Sequence, residues 1–164
     1  MRSLLILSLL FLAKTWSKPS CPPTSILSQD GSKCFYVFPI FTTFGTAEAV
    51  CEARSLRFGS IDNVKDNVAV SDAAHKLFKR LGETTKMMWL GGIFDQQKKK
   101  LVWINGDNST YMPTGVKNKV VRSVGYARHN GVGCLEMEVD SGLWFSTDCL
   151  TPVPFLCEGD SFDN

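Results

Sequence analysis

This chain has little that would let it span a membrane or carry out recognisable chemistry. No run of 18 uninterrupted apolar residues occurs in its 164 residues, so no segment reads as a transmembrane helix. Histidine is scarce, with only His75 and His129. No catalytic-serine motif, metal-ligand spacing or Gly-rich phosphate loop accompanies them, which removes the usual signatures of hydrolases, zinc enzymes and nucleotide enzymes. Glu136, Glu138 and Asp140 alternate, a pattern that a half-solvated strand explains without acid–base catalysis. The chain therefore reads as a protein that is not an enzyme and needs no cofactor. An excess of either charge is also missing. Lys and Arg number 18 against 16 Asp and Glu, which gives no support for bulk nucleic-acid binding.

What is present begins with a leader. Arg2 supplies a positive start, Leu4 to Ala13 an apolar stretch, and Thr15-Trp16-Ser17 a small-residue cut site. Residues 1–17 are expected to be a signal peptide and residues 18–164 a single domain, secreted and extracellular. Cleavage there leaves 147 residues with 16 basic and 16 acidic side chains. A chain of that size buries roughly 70% of its unfolded surface and folds on its own core.

Six cysteines follow, at Cys21, Cys34, Cys51, Cys134, Cys149 and Cys157. An even count behind a secretory leader reads as a disulfide framework, and six cysteines allow 15 pairings. One pairing has a local warrant. Gln29-Asp30-Gly31-Ser32 is a turn signal between Cys21 and Cys34, so a stapled N-terminal hairpin is expected.

The remaining pattern is two helices and then short strands. Thr46 is placed to cap a helix through Ala47, Val50, Cys51 and Arg54. Asp62 or Asp66 is placed to cap a second, with an apolar stripe of Val70, Ala73, Ala74, Leu77, Phe78 and Leu81 that Gly82 ends. Strands are expected around Phe35, Trp89, Val102, Leu135 and Leu156, and Trp89, Trp103 and Trp144 read as core. Between Asn105 and Gly133 regular signals are few, and a stretch this long is usually functional. The fold class is α+β, two helices with a mainly antiparallel sheet and a long loop.

Several segments carry more than periodicity. Phe44 stands seven residues before Cys51, and Cys51-Glu52-Ala53-Arg54-Ser55-Leu56-Arg57-Phe58-Gly59-Ser60-Ile61 runs from helix to turn. Trp89-Leu90-Gly91-Gly92, Trp103-Ile104-Asn105-Gly106-Asp107, Gly142-Leu143-Trp144 and Phe155-Leu156-Cys157-Glu158 follow in order. Together they resemble the C-type lectin-like domain in its long form with an N-terminal hairpin, over residues 21–158. The resemblance implies three disulfides, with Cys51 joined to Cys157 and Cys134 to Cys149. It also implies extracellular recognition of a glycan or a protein ligand, with a place in host defence and innate immunity.

Members of that family that bind sugar through calcium use carboxylates and amides at positions that this chain fills differently. No Glu-Pro-Asn or Gln-Pro-Asp tripeptide occurs, and Val124-Gly125-Tyr126 stands in its region. Val132-Gly133 and Phe145-Ser146 occupy the other ligand positions, and none of these side chains offers a carboxylate. Calcium takes 6–8 oxygen ligands, so a sugar-coordinating calcium is not expected. The resemblance leaves room for a structural ion near Asp66 and Glu158, which otherwise read as a helix cap and a surface carboxylate. Lys117, Lys119, Arg122, Tyr126, Arg128 and His129 form a stretch without acidic residues. They are the candidates for binding an acidic glycan directly. Asn108-Ser109-Thr110 is a glycosylation sequon on Asn108.

Overall fold

The computed structural model describes residues 18–95, 97–113, 122, 123 and 131–163. The chain order is β1 (Pro19–Ser20), β2 (Ile26–Leu27), β3 (Lys33–Thr42), α1 (Phe44–Glu52), β4 (Arg57–Phe58) and α2 (Val64–Leu81). Then come β5 (Met87–Asp95), β6 (Lys100–Trp103), β7 (Arg122–Ser123), β8 (Val132–Glu138), β9 (Leu143–Thr147), β10 (Val153–Asp160) and β11 (Phe162–Asp163). The main sheet runs β2-β3-β10-β5-β8-β9-β7, with β4 added to β10 and β6 to β5. The β10–β5 and β7–β9 pairs are parallel and the others antiparallel. β1 and β11 pair separately and bring the two ends of the domain together.

Both helices start elsewhere than the capping signals place them. α1 begins at Phe44 with Thr43 as the N-cap, while Thr46 lies inside it and shares a 3.0 Å hydroxyl contact with Thr43. Packing decides this. Phe44 is buried, its ring 4.8 Å from that of Phe58 and 5.7 Å from that of Trp89. Burying such a ring is worth 1.5–3 kcal/mol, more than the usual ~1 kcal/mol of a cap. α2 is capped by Asn63, whose Oδ1 accepts from Lys65 N and Asp66 N at 3.0 and 2.9 Å. Asp62 is drawn away to Lys33. Asp66 sits one turn in, accepting from Asn63 Nδ2 and Gln29 N at 2.7 Å each.

Gly82 ends α2 in the left-handed conformation, with φ 72°. Val70, Ala74 and Phe78 are buried as the stripe requires, but Leu81 is exposed. The buried side instead includes the polar Asn67 and Ser71. Trp144 Nε1 donates to Asn67 Oδ1 at 2.8 Å, Asn67 Nδ2 to Gly142 O at 2.9 Å, and Ser71 Oγ to Val139 O at 2.7 Å. Fully satisfied polar groups of this kind sit in a core at little net cost.

Two apolar clusters fill the domain. One gathers α2 residues with Phe35, Leu90, Trp103, Met137 and Trp144, and the other gathers α1 with Phe58, Trp89 and Phe155. Trp89, Trp103 and Trp144 are all buried. Bridges Cys21–Cys34, Cys51–Cys157 and Cys134–Cys149 are present, the pairings that the turn signal and the resemblance imply. A crosslink closing a 100-residue loop removes about 4.7 kcal/mol of unfolded-chain entropy, which makes Cys51–Cys157 the most constraining of the three. Gly91 is required by close approach, since a Cβ there would lie 2.9 Å from the Phe58 backbone. Glu136 departs from the sequence expectation. It is 9% exposed, on a strand face covered by protein rather than by water.

Candidate functional site

The long loop leaves β6 at Trp103 and returns at Val132. Its outgoing arm is anchored by side chains on both sides. Trp103 Nε1 donates to Ser109 O at 3.2 Å, Asn105 Oδ1 accepts from Asp107 N at 2.9 Å, and Tyr111 packs edge-on against Trp144 at 5.5 Å. The Cys134–Cys149 bridge braces the returning arm. Asn108 is exposed on the outgoing arm. Of the basic-stretch candidates, Lys117, Lys119, Tyr126, Arg128 and His129 lie outside the described residues. Arg122 is described by its backbone alone. It pairs with Phe145 of β9, which pairs with Glu136 of β8, which pairs with Trp89 of β5. These four residues form one row across four strands.

The described calcium positions do not suit the ion. Val132 is 42% exposed and apolar, and a Cβ on Gly133 would collide with Ser146 Oγ. Ser146 is buried, and its Oγ has no hydrogen-bond partner among the described residues. Phe145 completes the set. A single hydroxyl and no carboxylate fall far short of the ligand count that calcium takes. Glu136 is a buried carboxylate two residues along β8 from Cys134, and its side chain makes no hydrogen bond among the described residues. Burial pushes its carboxyl up to about 7, because removing water penalises the charged form.

A second polar centre gathers around Glu158, one of the two residues near which the resemblance leaves room for a structural ion. Lys33 Nζ, buried at the start of β3, reaches Asp62 Oδ2 at 2.7 Å, Glu158 Oε2 at 3.3 Å and Asp107 Oδ2 at 3.5 Å. It also donates to Ser60 O and Ser60 Oγ at 3.2 Å each. Glu158 is 3% exposed rather than a surface group. It accepts from Ser60 N at 2.8 Å and Asn105 Nδ2 at 3.1 Å, and it pairs with Arg57 at 3.4 Å. Among the described residues Asp66 and Glu158 share no partner. Among the described residues no three His, Cys, Asp or Glu side chains gather as a metal site.

Charge balance in this centre follows from one buried cation among three carboxylates. Burial opposes the charge on Lys33, but Asp62, Glu158 and Asp107 outweigh it and hold the ammonium above its usual range. Burial likewise works against Asp107, yet bonds from Ser60 Oγ and Ser109 N keep it below the ordinary carboxylate range. Asp62 is pushed up, because its burial outweighs what Lys33 returns. No local pattern marks this centre in the sequence. Its members come from β3, the β4–α2 junction, the outgoing arm of the loop and β10, and Lys33 and Glu158 are 125 positions apart.

The chain belongs to the C-type lectin domain family, whose profile matches residues 42–159. A curated relative, the secretory phospholipase A2 receptor of Mus musculus, is 27% identical over 96 residues. That match covers 56% of this chain and 6% of the receptor's length. Among solved structures, a calcium-independent type II antifreeze protein superposes with TM-score 0.59 at 19% identity, covering 88% of this chain and 97% of the other. The carbohydrate-recognition domain of mouse scavenger receptor C-type lectin gives 0.61 at 20% identity, with 86% and 98% covered. At these identities the two structures establish the shared fold.

Proposed function

We propose that this chain is a secreted recognition protein of host defence that binds acidic glycans through its long loop without calcium. The observation that carries this reading is the set Val132, Gly133, Phe145 and Ser146, which offers one hydroxyl and no carboxylate. The similarity to a carbohydrate-recognition domain supports a glycan ligand, and that to a calcium-independent protein supports a fold working without the ion. Arg and Lys side chains of the loop, with Arg122 and Arg128 foremost, would bind sulfate, phosphate or carboxylate groups directly. Binding is then expected to weaken with salt, since exposed charges are screened. A second reading is a calcium-independent protein-binding or inhibitory module, favoured by the partial match to a receptor named for a secreted enzyme.

A glycan array run with and without EDTA separates these readings. Retention of sulfated or sialylated glycans should be the same in both conditions, and Arg122→Ala with Arg128→Ala should reduce it at least tenfold. Calcium should leave thermal stability unchanged, whereas a ligand at 100 times its Kd adds about 2.7 kcal/mol. Silence on the array favours the protein ligand. EDTA-sensitive binding of neutral mannose or galactose overturns the proposal.

We also propose that Asn108, exposed and followed by Ser109-Thr110, carries an N-glycan in a eukaryotic secretory host. Peptide N-glycosidase should lower the apparent mass, and Asn108→Gln should already run at the lower mass. An unchanged mass on digestion would refute it.

A further inference from the structure

A groove of about 1070 Å³ runs between the N-terminal hairpin and α2, sharing no lining residue with the long loop. Its floor is aliphatic, formed by Ile26 of β2, Val37 and Pro39 of β3, and Leu77 of α2. All four are half-buried, and Ile26, Val37 and Leu77 lean on the core cluster around α2. Its rim carries Lys76, Lys79 and Arg80, and no acidic residue lines it. None of these three cations makes an ion pair among the described residues. Lys79 and Arg80 suit the negative end of α2, but Lys76 stands a turn earlier, beyond the reach of that dipole.

The occupant follows from these two surfaces. A sugar needs hydrogen-bond partners that an aliphatic floor does not supply. An added peptide strand needs a ladder, and β2 at this edge of the sheet is two residues long. What matches an aliphatic trough beneath unpaired cations is a single alkyl chain ending in an anion. The volume is at the upper end of small-molecule sites, which are mostly apolar with a few placed polar groups. We propose that this groove binds one monomeric long-chain fatty-acid anion, with its chain on Ile26, Val37, Pro39 and Leu77 and its carboxylate between Lys76 and Arg80.

The test is calorimetric titration of the intact protein with sodium dodecanoate below its micelle concentration. One saturable site is expected, binding dodecanoate at least tenfold more tightly than dodecanol. Lys76→Glu with Arg80→Glu should weaken dodecanoate at least tenfold. Both side chains are exposed, so the fold should survive, with the melting curve lowered only slightly by the acidic side chain placed at the negative end of α2. Leu77→Asp should remove binding of both compounds, and Leu77→Met, which keeps the apolar floor, should retain it. Arg122→Ala with Arg128→Ala should have no effect, which keeps this result independent of the loop proposal. Equal affinity for dodecanol, indifference to the charge-reversed pair, or binding confined to phosphatidylglycerol vesicles would overturn it.

Discussion

Lys33→Met is expected to lower stability by about 3–5 kcal/mol, the usual result of removing one partner from a buried ion cluster. The substitution keeps an unbranched side chain of similar length, so little packing is lost. What changes is charge. Asp62, Asp107 and Glu158 would face one another without the ammonium that Asp62 meets at 2.7 Å. Glu158 cannot turn to water, being 3% exposed. For a domain of this size the melting temperature should fall by roughly 10 °C. Urea unfolding of the two proteins measures the difference, and Lys86→Met, in an exposed pair with Asp140, serves as the control that should not move. Adding Glu158→Gln to Lys33→Met should recover part of the loss, since it removes a buried charge left with only the 3.4 Å contact to Arg57. A loss below 1 kcal/mol would mean that water replaces the ammonium and that the centre is not closed. The native pairing also has a pH window. Because the Lys33 pKa is raised on folding, its contribution is fully present below the ordinary lysine range and is lost as pH rises through the folded value.

The second large effect is at Glu136 and has the opposite sign. Its carboxyl rises from 4.5 to about 7 on folding. Between those values the native chain holds a proton that the unfolded chain has released, so stability falls as pH rises through that window. Above about pH 7 the cost levels off. It is of order 2 kcal/mol once partial solvent access is allowed for. Glu136→Gln keeps the shape and removes the titration. The variant should therefore match the native protein near pH 4 and exceed it by about 2 kcal/mol at pH 8. Other carboxylates, such as Asp107, push the native curve the other way in acid, so the difference between the two proteins isolates Glu136. A difference that does not change with pH would show that the carboxyl reaches solvent and titrates normally.

The sequence made much of this fold legible, because several signals were local or came in a fixed order. The turn before Cys34, the Gly82 stop and the buried tryptophans each follow from a few adjacent residues. Strands of two residues have no period to detect, so β1, β4, β7 and β11 left no trace, and β2 showed only through the turn signal of its hairpin with β3. β9 was concealed differently. Gly142-Leu143-Trp144 reads as a motif, while the strand depends on pairing with β8 that no local pattern announces. Thr46 and Asp66 had the right chemistry for caps, and the burial of Phe44 and the Asn63 side chain decided otherwise. The Lys33 centre was invisible for a topological reason, since four remote segments supply one ion cluster. The burial of Glu136 is not legible in the alternation, which shows which residues share a face, not whether that face meets water.

The pairing of β1 with β11, together with Cys51–Cys157, also fixes how the domain responds to being pulled. Pro19 opposes Asp163 and Ser20 opposes Phe162, so tension on the two ends peels these pairs apart one at a time. Further in, load reaches Cys51 from one side and Cys157 from the other and passes through their sulfur–sulfur bond. The bridge spans a separation of 106 residues. Everything between them, including α2, the long loop and the Cys134–Cys149 bridge, lies off the line of force. Stretched, the oxidised chain would lengthen only by its flanks, and the greater part of the fold would bear no load until a reductant cut that one link.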